Sequence, residues 1–319
     1  MRYMSQTRSR RVWVPFGSSA KNLPDGLVAD VFTGVDIDAP DGVPDSIDEV
    51  EFFVLPYPFA DAHPELMARM PKLKVAQTLT AGYDHVLSFV PEGVTLCSAR
   101  GLHDASTAEL AVTLTLSALR GIPRYVRAAD RGEWSPVLEL AADKVDDALA
   151  DKTVLILGYG SIGSAIERRL AGFEVEVLRV ARTAREGVHA LSEIDELLPQ
   201  ADVVITVVPA TDETRGMVDA RFLARMKDGA LLVNVARGVV VRTDDLVAEC
   251  ASGRLRAALD VTDPEPLPAD HPLWHTPNVL ITPHVGGRST AFFPRALKLI
   301  DAQLRRFAAG EELANVVSA

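Results

Sequence analysis

The sequence predicts an α/β protein built on parallel sheets, with a doubly wound sheet in its second half. After Lys152, six apolar runs recur, each rich in Val, Ile and Leu and short enough for a strand buried on both faces. Loops or helical patterns separate them, and a glycine-rich turn follows the first, which is typical of a doubly wound sheet. In chain order the runs are TVLIL, EVEVLRV, DVVITVV, ALLVNVA, AALDV and NVLIT.

The first hundred residues alternate in a similar but less regular way. Apolar runs at residues 11–16, 51–55, 73–79 and 94–98 predict buried strands of a second parallel sheet. The segment HPELMARMP, which begins at residue 63, predicts a helix between two of these strands. The N-terminal part of the chain therefore predicts an α/β unit of its own.

A long helix is predicted next, in the segment DASTAELAVTLTLSALRG. Ser106 and Glu109 have the spacing of a capping box, and Gly121 follows the last apolar turn. Residues 121–150 then contain two prolines and Trp134, which predict an irregular arm or linker.

The C-terminal segment TAFFPRALKLIDAQLRRFAAG predicts a helix with Pro294 near its first turn and Gly310 at its end. We expect this helix to pack on the first unit and to make that unit discontinuous in sequence. The predicted domains are residues 1–101 with 289–319, and residues 102–288.

Composition and charge exclude several classes of function. The 319-residue chain is 48% hydrophobic and 24% charged, an ordinary balance for a soluble globular protein. Its net charge of −11 argues against a nucleic-acid partner, because phosphate binding needs a basic surface. No uncharged apolar run reaches the roughly eighteen residues of a membrane span, and two cysteines form neither a disulfide framework nor a metal motif. We expect a cytoplasmic protein without membrane partners.

Two histidines four residues apart, His271 and His275, raise the question of a metal site. Pro272 and the loop-like composition of ADHPLWHTP argue against a helix that would turn both side chains to one face. We therefore expect no metal site.

The segment ILGYGSIG carries the glycine spacing of a dinucleotide-binding loop. Gly158, Gly160 and Gly163 follow a predicted strand and open a helical pattern, which is the context that this motif requires. The first glycine permits the tight turn, the second lets the backbone approach a pyrophosphate, and the third lets helix and strand pack closely. The free N–H groups of the helix N-terminus would face the anion. A tight turn without a ligand is the alternative interpretation.

About twenty residues further on, a carboxylate would normally bind the ribose 2′-hydroxyl of NAD. The position at the end of the second run is occupied by Ala181, followed by Arg182 and, close by, Arg185. A guanidinium there can make a charge-assisted contact with the 2′-phosphate of NADP. We predict that NADP is preferred, with NAD as a possible cofactor; solvated surface arginines are the alternative.

Three chemically capable residues follow the last three runs: Arg237, Glu265 and His284. Ligands bind outside the carboxyl ends of strands in an open α/β sheet, so all three can reach one crevice. Arg237 can hold a carboxylate through two parallel hydrogen bonds, and His284 can exchange a proton near neutral pH. Glu265 can hold the other imidazole nitrogen and favour its charged form. Taken singly, each has an ordinary alternative as a surface, structural or loop residue.

The motifs NVARGVVVRTDDLV, ALDVTDPEPLPADHPLWHTPNVLITPHVGG and LADKTVLILGYGSIG resemble the D-2-hydroxyacid dehydrogenase family, and the similarity extends from about Phe53 to the end. The resemblance implies a Rossmann-like cofactor domain inserted into a flavodoxin-like substrate domain, with a cleft between them. It also implies that Arg237 binds the substrate carboxylate, that His284 is the acid/base residue and that Glu265 is its partner.

Further roles rest on the same resemblance. Asp260 matches the family residue that holds the nicotinamide carboxamide, and Ala81 and Gly82 match the loop whose backbone amides touch the substrate carboxylate. Residues 121–150 match the family's dimerisation arm, so a homodimer is expected. Thr262 stands where many members carry an aromatic residue. The expected cofactor-binding residues are Gly158, Gly160, Ser161, Ile162, Gly163, Arg182, Thr183, Val208, Pro209, Thr214 and Asp260.

The predicted activity is NADPH-preferring, reversible reduction of a small 2-oxo acid to the D-2-hydroxy acid, similar to glyoxylate and hydroxypyruvate reductases. One alternative is an NAD-linked oxidative dehydrogenase of the phosphoglycerate type, for which Arg100 and Lys74 are candidate phosphate ligands. Another is a cofactor-sensing scaffold similar to the corepressors that share this architecture.

Overall fold

A computed structural model describes residues 9–35, 37–38, 42–57, 63–134 and 146–317 of the chain. The chain divides into two compact units. The first unit comprises Met1–His103 and Thr290–Ala319, and the second comprises Asp104–Ser289. The sequence predicts these two boundaries at residues 101/102 and 288/289, within two residues of those observed.

The first unit contains a five-stranded sheet whose neighbouring strands are all parallel, in the order β2-β1-β3-β4-β5. Four of these strands are predicted from their apolar runs. β2 is missed because it lies at the edge of the sheet, where Val28 and Val31 are exposed and no continuous apolar run is needed. The strands are β1 (Arg10–Val14), β2 (Leu27–Val31), β3 (Val50–Val54), β4 (Val75–Gln77) and β5 (Thr95–Cys97).

Short 3₁₀ helices connect these strands. The helix predicted from residue 63 is a six-residue 3₁₀ helix instead of an α-helix. It starts after His63, whose backbone is left-handed (φ 44°), and Pro71 follows its end, so the segment has no room for α-helical turns. Among the described residues of this unit, 3₁₀ helices span Asp45–Glu49, Pro64–Arg69 and Leu87–Phe89.

The second unit contains a seven-stranded parallel sheet in the order β12-β11-β10-β9-β6-β7-β8. All six predicted strands are present. The additional β8 has two residues, too few to produce a pattern in the sequence. The strands are β6 (Thr153–Leu157), β7 (Glu176–Ala181), β8 (His189–Ala190), β9 (Val203–Thr206), β10 (Leu231–Asn234), β11 (Arg256–Leu259) and β12 (Val279–Ile281).

Helices cover both faces of this sheet, and two buried apolar clusters lie between helices and strands. The α-helices are α1 (Asp104–Leu119), α2 (Ile122–Asp130), α3 (Ser161–Leu170), α4 (Ile194–Leu197), α5 (Ala220–Arg225) and α6 (Thr243–Ala251). Short 3₁₀ helices span Leu191–Glu193, Leu198–Gln200, Gly238–Val240 and Pro272–Trp274. The structure therefore confirms an α/β fold with two parallel sheets, the second doubly wound.

The start of α1 differs from the prediction. The helix begins at Asp104, so Ser106 and Glu109 lie within it and form no capping box. Ser106 is buried, and its hydroxyl is 2.6 Å from that of Ser289. Glu109 pairs with Arg169 of α3 at 2.9 Å. Both side chains contact residues that are distant in the sequence, and the residue spacing of a capping box cannot predict such contacts.

The prediction of an irregular segment over residues 121–150 is wrong at its start, where α2 forms. Pro123 lies in the first turn of α2, a position that tolerates proline because its missing N–H would be unpaired there anyway. Residues 135–145 of the predicted arm lie outside the described residues.

The C-terminal helix α7 (Phe292–Ala309) packs on the sheet of the first unit, as predicted, and ends at Gly310 with φ 70°. A pair of fully buried glutamines holds it there: the Gln303 Nε2 donates to the Gln77 Oε1 at 2.7 Å. The Gln77 Nε2 donates in turn to the carbonyl of Thr78 at 2.8 Å. This network ties the last helix to the end of β4.

The two cysteines are buried free thiols in separate units. Burial raises the pKa of Cys97 to about 11 and that of Cys250 to about 12. Both thiols are therefore protonated at neutral pH, and neither is a candidate nucleophile. In the described part of the chain, the helices are too short or too polar to cross a membrane.

Candidate active site

The glycine loop joins β6 to α3, and its three glycines have different surroundings. Gly158 has φ 107°, and a Cβ atom there would lie 2.7 Å from the Val207 carbonyl carbon. A Cβ on Gly163 would lie 2.6 Å from the Gly158 oxygen. Around Gly160, by contrast, a Cβ would meet nothing within 4 Å. The outer glycines are therefore required by packing, and the middle one leaves open space beside the N-terminus of α3.

A cavity of about 290 Å³ lies beside this loop, within the second unit. Its walls combine apolar side chains with a few polar ones. The lining residues are Leu157, Gly158, Tyr159, Gly160, Ala181, Arg182, Leu191, Val207, Val208, Pro209, Thr211, Glu213 and Thr214. Six of them are expected cofactor-binding residues: Gly158, Gly160, Arg182, Val208, Pro209 and Thr214.

The other expected cofactor-binding residues lie outside this lining. Ser161, Ile162 and Gly163 form the first turn of α3, and Thr183 follows Arg182 in an exposed turn. The Ser161 hydroxyl donates to the Asp104 carboxylate. Asp260, the remaining one, directly follows β11. Tyr159, Leu191, Thr211 and Glu213 also line the cavity but are not predicted from the sequence; Tyr159 lies within the ILGYGSIG motif, where only the glycines and the start of the helix carry a signal.

Three arginines lie near the end of β7, and the structure separates their roles. The Arg179 guanidinium pairs with the Glu167 carboxylate, and this hydrogen bonding lowers the pKa of Glu167. The Arg185 guanidinium donates to the backbone oxygen of Tyr159. Arg182 is exposed, lines the cavity and makes no hydrogen bond or ion pair within the described ranges. Of the three, Arg182 is the one placed to bind an anion.

His284 and Glu265 form a hydrogen-bonded pair. The imidazole Nδ1 lies 2.5 Å from the Glu265 Oε1, and both side chains are partly exposed. His284 directly follows Pro283 in the loop after β12 and has a left-handed backbone with φ 50°. Glu265 lies in the loop after β11. A carboxylate on Nδ1 orients the ring so that Nε2 is the nitrogen that exchanges a proton.

Asp260 organises the loop that carries His284. It is 2% exposed, and one carboxylate oxygen accepts hydrogen bonds from the Thr282 hydroxyl at 2.6 Å and the Val285 amide at 2.9 Å. The other oxygen accepts from the Gly286 amide at 2.7 Å. Both carboxylate oxygens are therefore used to hold the loop that carries His284, and the cofactor role of Asp260 stays a prediction.

Arg237 follows β10 and is half-buried, with its Nη1 3.0 Å from the Ala236 oxygen. Asn234 holds this turn: its amide nitrogen donates to the Arg237 carbonyl at 3.0 Å, and its amide oxygen accepts from Thr206 at 2.8 Å. Asn234 and Thr206 are not predicted from the sequence. Their signal is a polar residue at the end of an otherwise apolar strand, which only the pairing of β9 with β10 explains.

All of these strands are parallel, so their carboxyl ends lie on one edge of the sheet. The glycine loop, Arg237, Glu265 and His284 follow four of those ends. The structure thus brings a candidate acid/base pair, an arginine and a dinucleotide-type loop to the same edge, where ligands of open α/β sheets bind.

The first unit contains the other expected substrate residues, Ala81 and Gly82, in the loop after β4. The Thr78 hydroxyl donates to the Thr80 carbonyl at 2.9 Å, and the Thr80 hydroxyl donates to the Gly82 carbonyl at 2.6 Å. The backbone amides of Ala81 and Gly82 donate to no other group in the ranges that the structure describes. Hydrogen bonds to its carbonyl oxygens therefore hold the loop, and the amides of Ala81 and Gly82 are available to an anion.

Two residues of the first unit, Lys74 and Arg100, are candidate phosphate ligands, and the prediction for Lys74 is wrong. Lys74 precedes β4 and so lies at the amino end of that strand, where its ammonium pairs with Glu51 at 2.7 Å. Ligands of parallel sheets bind at the opposite edge. Arg100 follows β5 and stays a prediction.

Comparison with known proteins agrees with this geometry. Residues 112–286 match the model of the D-isomer specific 2-hydroxyacid dehydrogenase NAD binding domain. A glyoxylate reductase/hydroxypyruvate reductase of Homo sapiens is 36% identical over 223 residues, which cover 67% of this chain and 67% of that protein.

Two solved structures are similar over almost the whole chain. A D-isomer specific 2-hydroxyacid dehydrogenase of Xanthobacter autotrophicus Py2, in complex with NADPH and MES, has a TM-score of 0.78 at 31% identity and covers 98% of both chains. An NADPH-dependent glyoxylate/hydroxypyruvate reductase of Sinorhizobium meliloti, in complex with NADP and sulfate, has a TM-score of 0.78 at 27% identity, covering 97% of this chain and 98% of that one. This chain belongs to the D-isomer specific 2-hydroxyacid dehydrogenase family.

Proposed function

We propose that the protein is an NADPH-preferring reductase that converts 2-oxo acids to D-2-hydroxy acids, reversibly in principle. In this proposal the second unit binds the cofactor and supplies Arg237, Glu265 and His284, and the first unit supplies the Ala81–Gly82 loop. The observation that carries it is the His284–Glu265 hydrogen bond of 2.5 Å, on a sheet edge that also bears Arg237 and the glycine loop. Relatives named glyoxylate/hydroxypyruvate reductase support the reaction class.

The residues around the glycine loop fit a dinucleotide. Gly160 leaves space for a pyrophosphate, and the first turn of α3 has backbone N–H groups without helical partners. Leu191 and Val208 supply apolar walls to the cavity, and Arg182 supplies a cation beside them. When bound, NADPH supplies the hydride that reduces C2 of the substrate.

His284 is proposed to deliver the proton that completes the reduction. In its protonated form, the imidazolium can give its Nε2 proton to the substrate oxygen, and in reverse the neutral ring can accept it. The Glu265 carboxylate on Nδ1 fixes the orientation of the ring. Asp260 keeps the loop of His284 in place through its three hydrogen bonds.

Arg237 is proposed to bind the substrate carboxylate through a two-pronged contact that orients the neighbouring carbonyl. The family resemblance assigns the amides of Ala81 and Gly82 to the same carboxylate. Their lack of other acceptors in the described residues supports this assignment.

Arg182 should decide the cofactor preference. We expect Arg182→Ala to lower kcat/KM for NADPH about 100-fold, because two charge-assisted hydrogen bonds at roughly 1.5 kcal/mol each would be lost. The value for NADH should stay within about twofold, since NADH has no 2′-phosphate to lose. The measurement is the loss of reduced-nicotinamide absorbance with each cofactor, using 2-oxo acids from glyoxylate and hydroxypyruvate through pyruvate to branched and aromatic examples.

Arg168→Ala is the matched control, because Arg168 is an exposed arginine of α3 outside the cavity lining. It should leave both cofactors unaffected. If the native protein used NADPH and NADH equally well, Arg182 would be only a solvated surface residue, and the proposed preference for NADP would be wrong. No turnover with either cofactor would instead support the cofactor-sensing scaffold.

We also propose that the protein is a cytoplasmic homodimer. Two buried free thiols are typical of a reducing compartment. Ile122 and Val126, one helical turn apart on α2, are 44% and 54% exposed, and they lie in the segment that resembles the family's dimerisation arm. Sedimentation velocity should give twice the chain mass; a monomer at micromolar concentration would contradict the proposal.

A further inference from the structure

The carboxyl edge of the first unit's sheet carries a cluster of aromatic side chains. β1, β3 and β4 are parallel, so the residues that follow them lie on one edge. Phe16 follows β1, Tyr57 follows β3, and the N-terminus of α7 brings Phe292 and Phe293 to the same place. In parallel α/β sheets this is the edge at which ligands bind.

The rings contact one another directly. Tyr57 and Phe292 are stacked with ring centroids 4.5 Å apart, and Phe16 meets Phe293 edge to face at 5.0 Å. The His103 ring stacks on Phe292 at 5.6 Å. We call Phe16, Tyr57, Phe292 and Phe293 the aromatic wall.

The aromatic wall adjoins the loop proposed to hold the substrate carboxylate. His103, which stacks on Phe292, also forms a hydrogen bond of 2.8 Å from Nε2 to the Leu79 carbonyl. Leu79 precedes Ala81 by two residues. One buried histidine therefore connects the wall to the loop, and both belong to the first unit.

The wall is incompletely covered. Phe293 is 47% exposed, and Phe16, Tyr57 and Phe292 are partly exposed. Exposed aromatic rings are unfavourable in water, and such rings at a ligand-binding edge are typical of pockets for apolar groups. A substrate hydroxyl, by contrast, would need a fixed hydrogen-bond partner to be selected over an apolar group. The three phenylalanines of the wall offer no such partner, and the Tyr57 hydroxyl is the one polar group among the four side chains.

We propose that the aromatic wall receives the side chain of the substrate, so that the preferred 2-oxo acids carry a branched or aromatic apolar group on C3. This inference rests on the proposed function and narrows it. It places glyoxylate, which has no side chain, and hydroxypyruvate, whose side chain is polar, among the poorer substrates. His103 contacts both the segment before this loop and Phe292, so a substrate carboxylate held by the Ala81–Gly82 loop would lie near the wall.

The test compares kcat/KM for 4-methyl-2-oxopentanoate and phenylpyruvate with that for glyoxylate and hydroxypyruvate, using NADPH and the native protein. The apolar acids should exceed the small ones about tenfold or more, the discrimination expected from filling an apolar pocket. Phe293→Ser should reduce that ratio about tenfold while the glyoxylate value changes little. Phe292→Leu, which keeps the core filled, should lower the phenylpyruvate value most.

Phe89→Ser is the matched control, because Phe89 is a 43% exposed phenylalanine of the same unit in a different helix. It should leave the substrate ratio unchanged. Glyoxylate or hydroxypyruvate as the best substrate would overturn the aromatic pocket and leave the proposed reductase intact. If Phe293→Ser lowered kcat/KM equally for all substrates, the aromatic wall would contribute only to packing and not to substrate selection. Failure to reduce any acid would remove the proposed function itself.

Discussion

Replacing His284 with alanine is expected to lower kcat by about 10²–10⁴-fold, the contribution usual for a general acid/base residue. NADPH binding should survive, because the glycine loop and Arg182 lie in other segments of the second unit. Steady-state kinetics and the quenching of protein fluorescence by NADPH would measure the two effects separately.

His275→Ala is the matched control, since His275 is an exposed histidine of the same unit in the loop after the Pro272–Trp274 turn. It should retain native kcat and native NADPH binding. If His284→Ala loses cofactor affinity and keeps its turnover per bound cofactor, the acid/base assignment is wrong and His284 belongs to the cofactor site.

Gly238→Ala should disable the site through packing alone. An alanine Cβ there would lie 1.8 Å from the Thr262 carbonyl oxygen and 2.1 Å from its carbon, and backbone atoms on both sides cannot simply rotate away. The turn that carries Arg237 or the loop that carries Glu265 must therefore move. We expect the free energy of unfolding to fall by about 3 kcal/mol and kcat/KM to fall at least tenfold.

Chemical denaturation and steady-state kinetics would measure both effects. Gly172→Ala is the control, because Gly172 lies in the same unit, meets nothing within 4 Å of an added Cβ and has no left-handed backbone. Its stability should change by less than about 0.5 kcal/mol. Native stability and activity in Gly238→Ala would show that the contact between Gly238 and Thr262 relaxes without consequence.

Much of the fold follows from local patterns in the sequence. Four strands of the second sheet, β6, β9, β10 and β11, appear as apolar runs because they are almost wholly buried, and strands buried on both faces need such runs. β7 and β12 are also predicted from their apolar residues, although most of their residues are only partly buried. The edge strand β2 and the two-residue β8 produce no such run and are missed. The capping box predicted at Ser106 is wrong. The Ser106 hydroxyl forms a hydrogen bond with that of Ser289, which lies 183 residues away in the sequence, and local spacing cannot predict such a contact.

The family, the parallel α/β architecture and the three-glycine loop can be predicted from the sequence alone, and so can Arg237, Glu265 and His284 as candidate site residues whose roles stay predictions. These predictions depend on the types of residue, their spacing and their order along the chain, and a single sequence contains all of that information. The tertiary structure shows which arginine near the end of β7 is available to an anion, because Arg179 within the strand and Arg185 after it are hydrogen-bonded to Glu167 and Tyr159. It also decided the roles of Thr206 and Asn234 and assembled the aromatic wall from three separate segments. Such features depend on contacts between residues distant in sequence, and those contacts exist only once strand order and register are established.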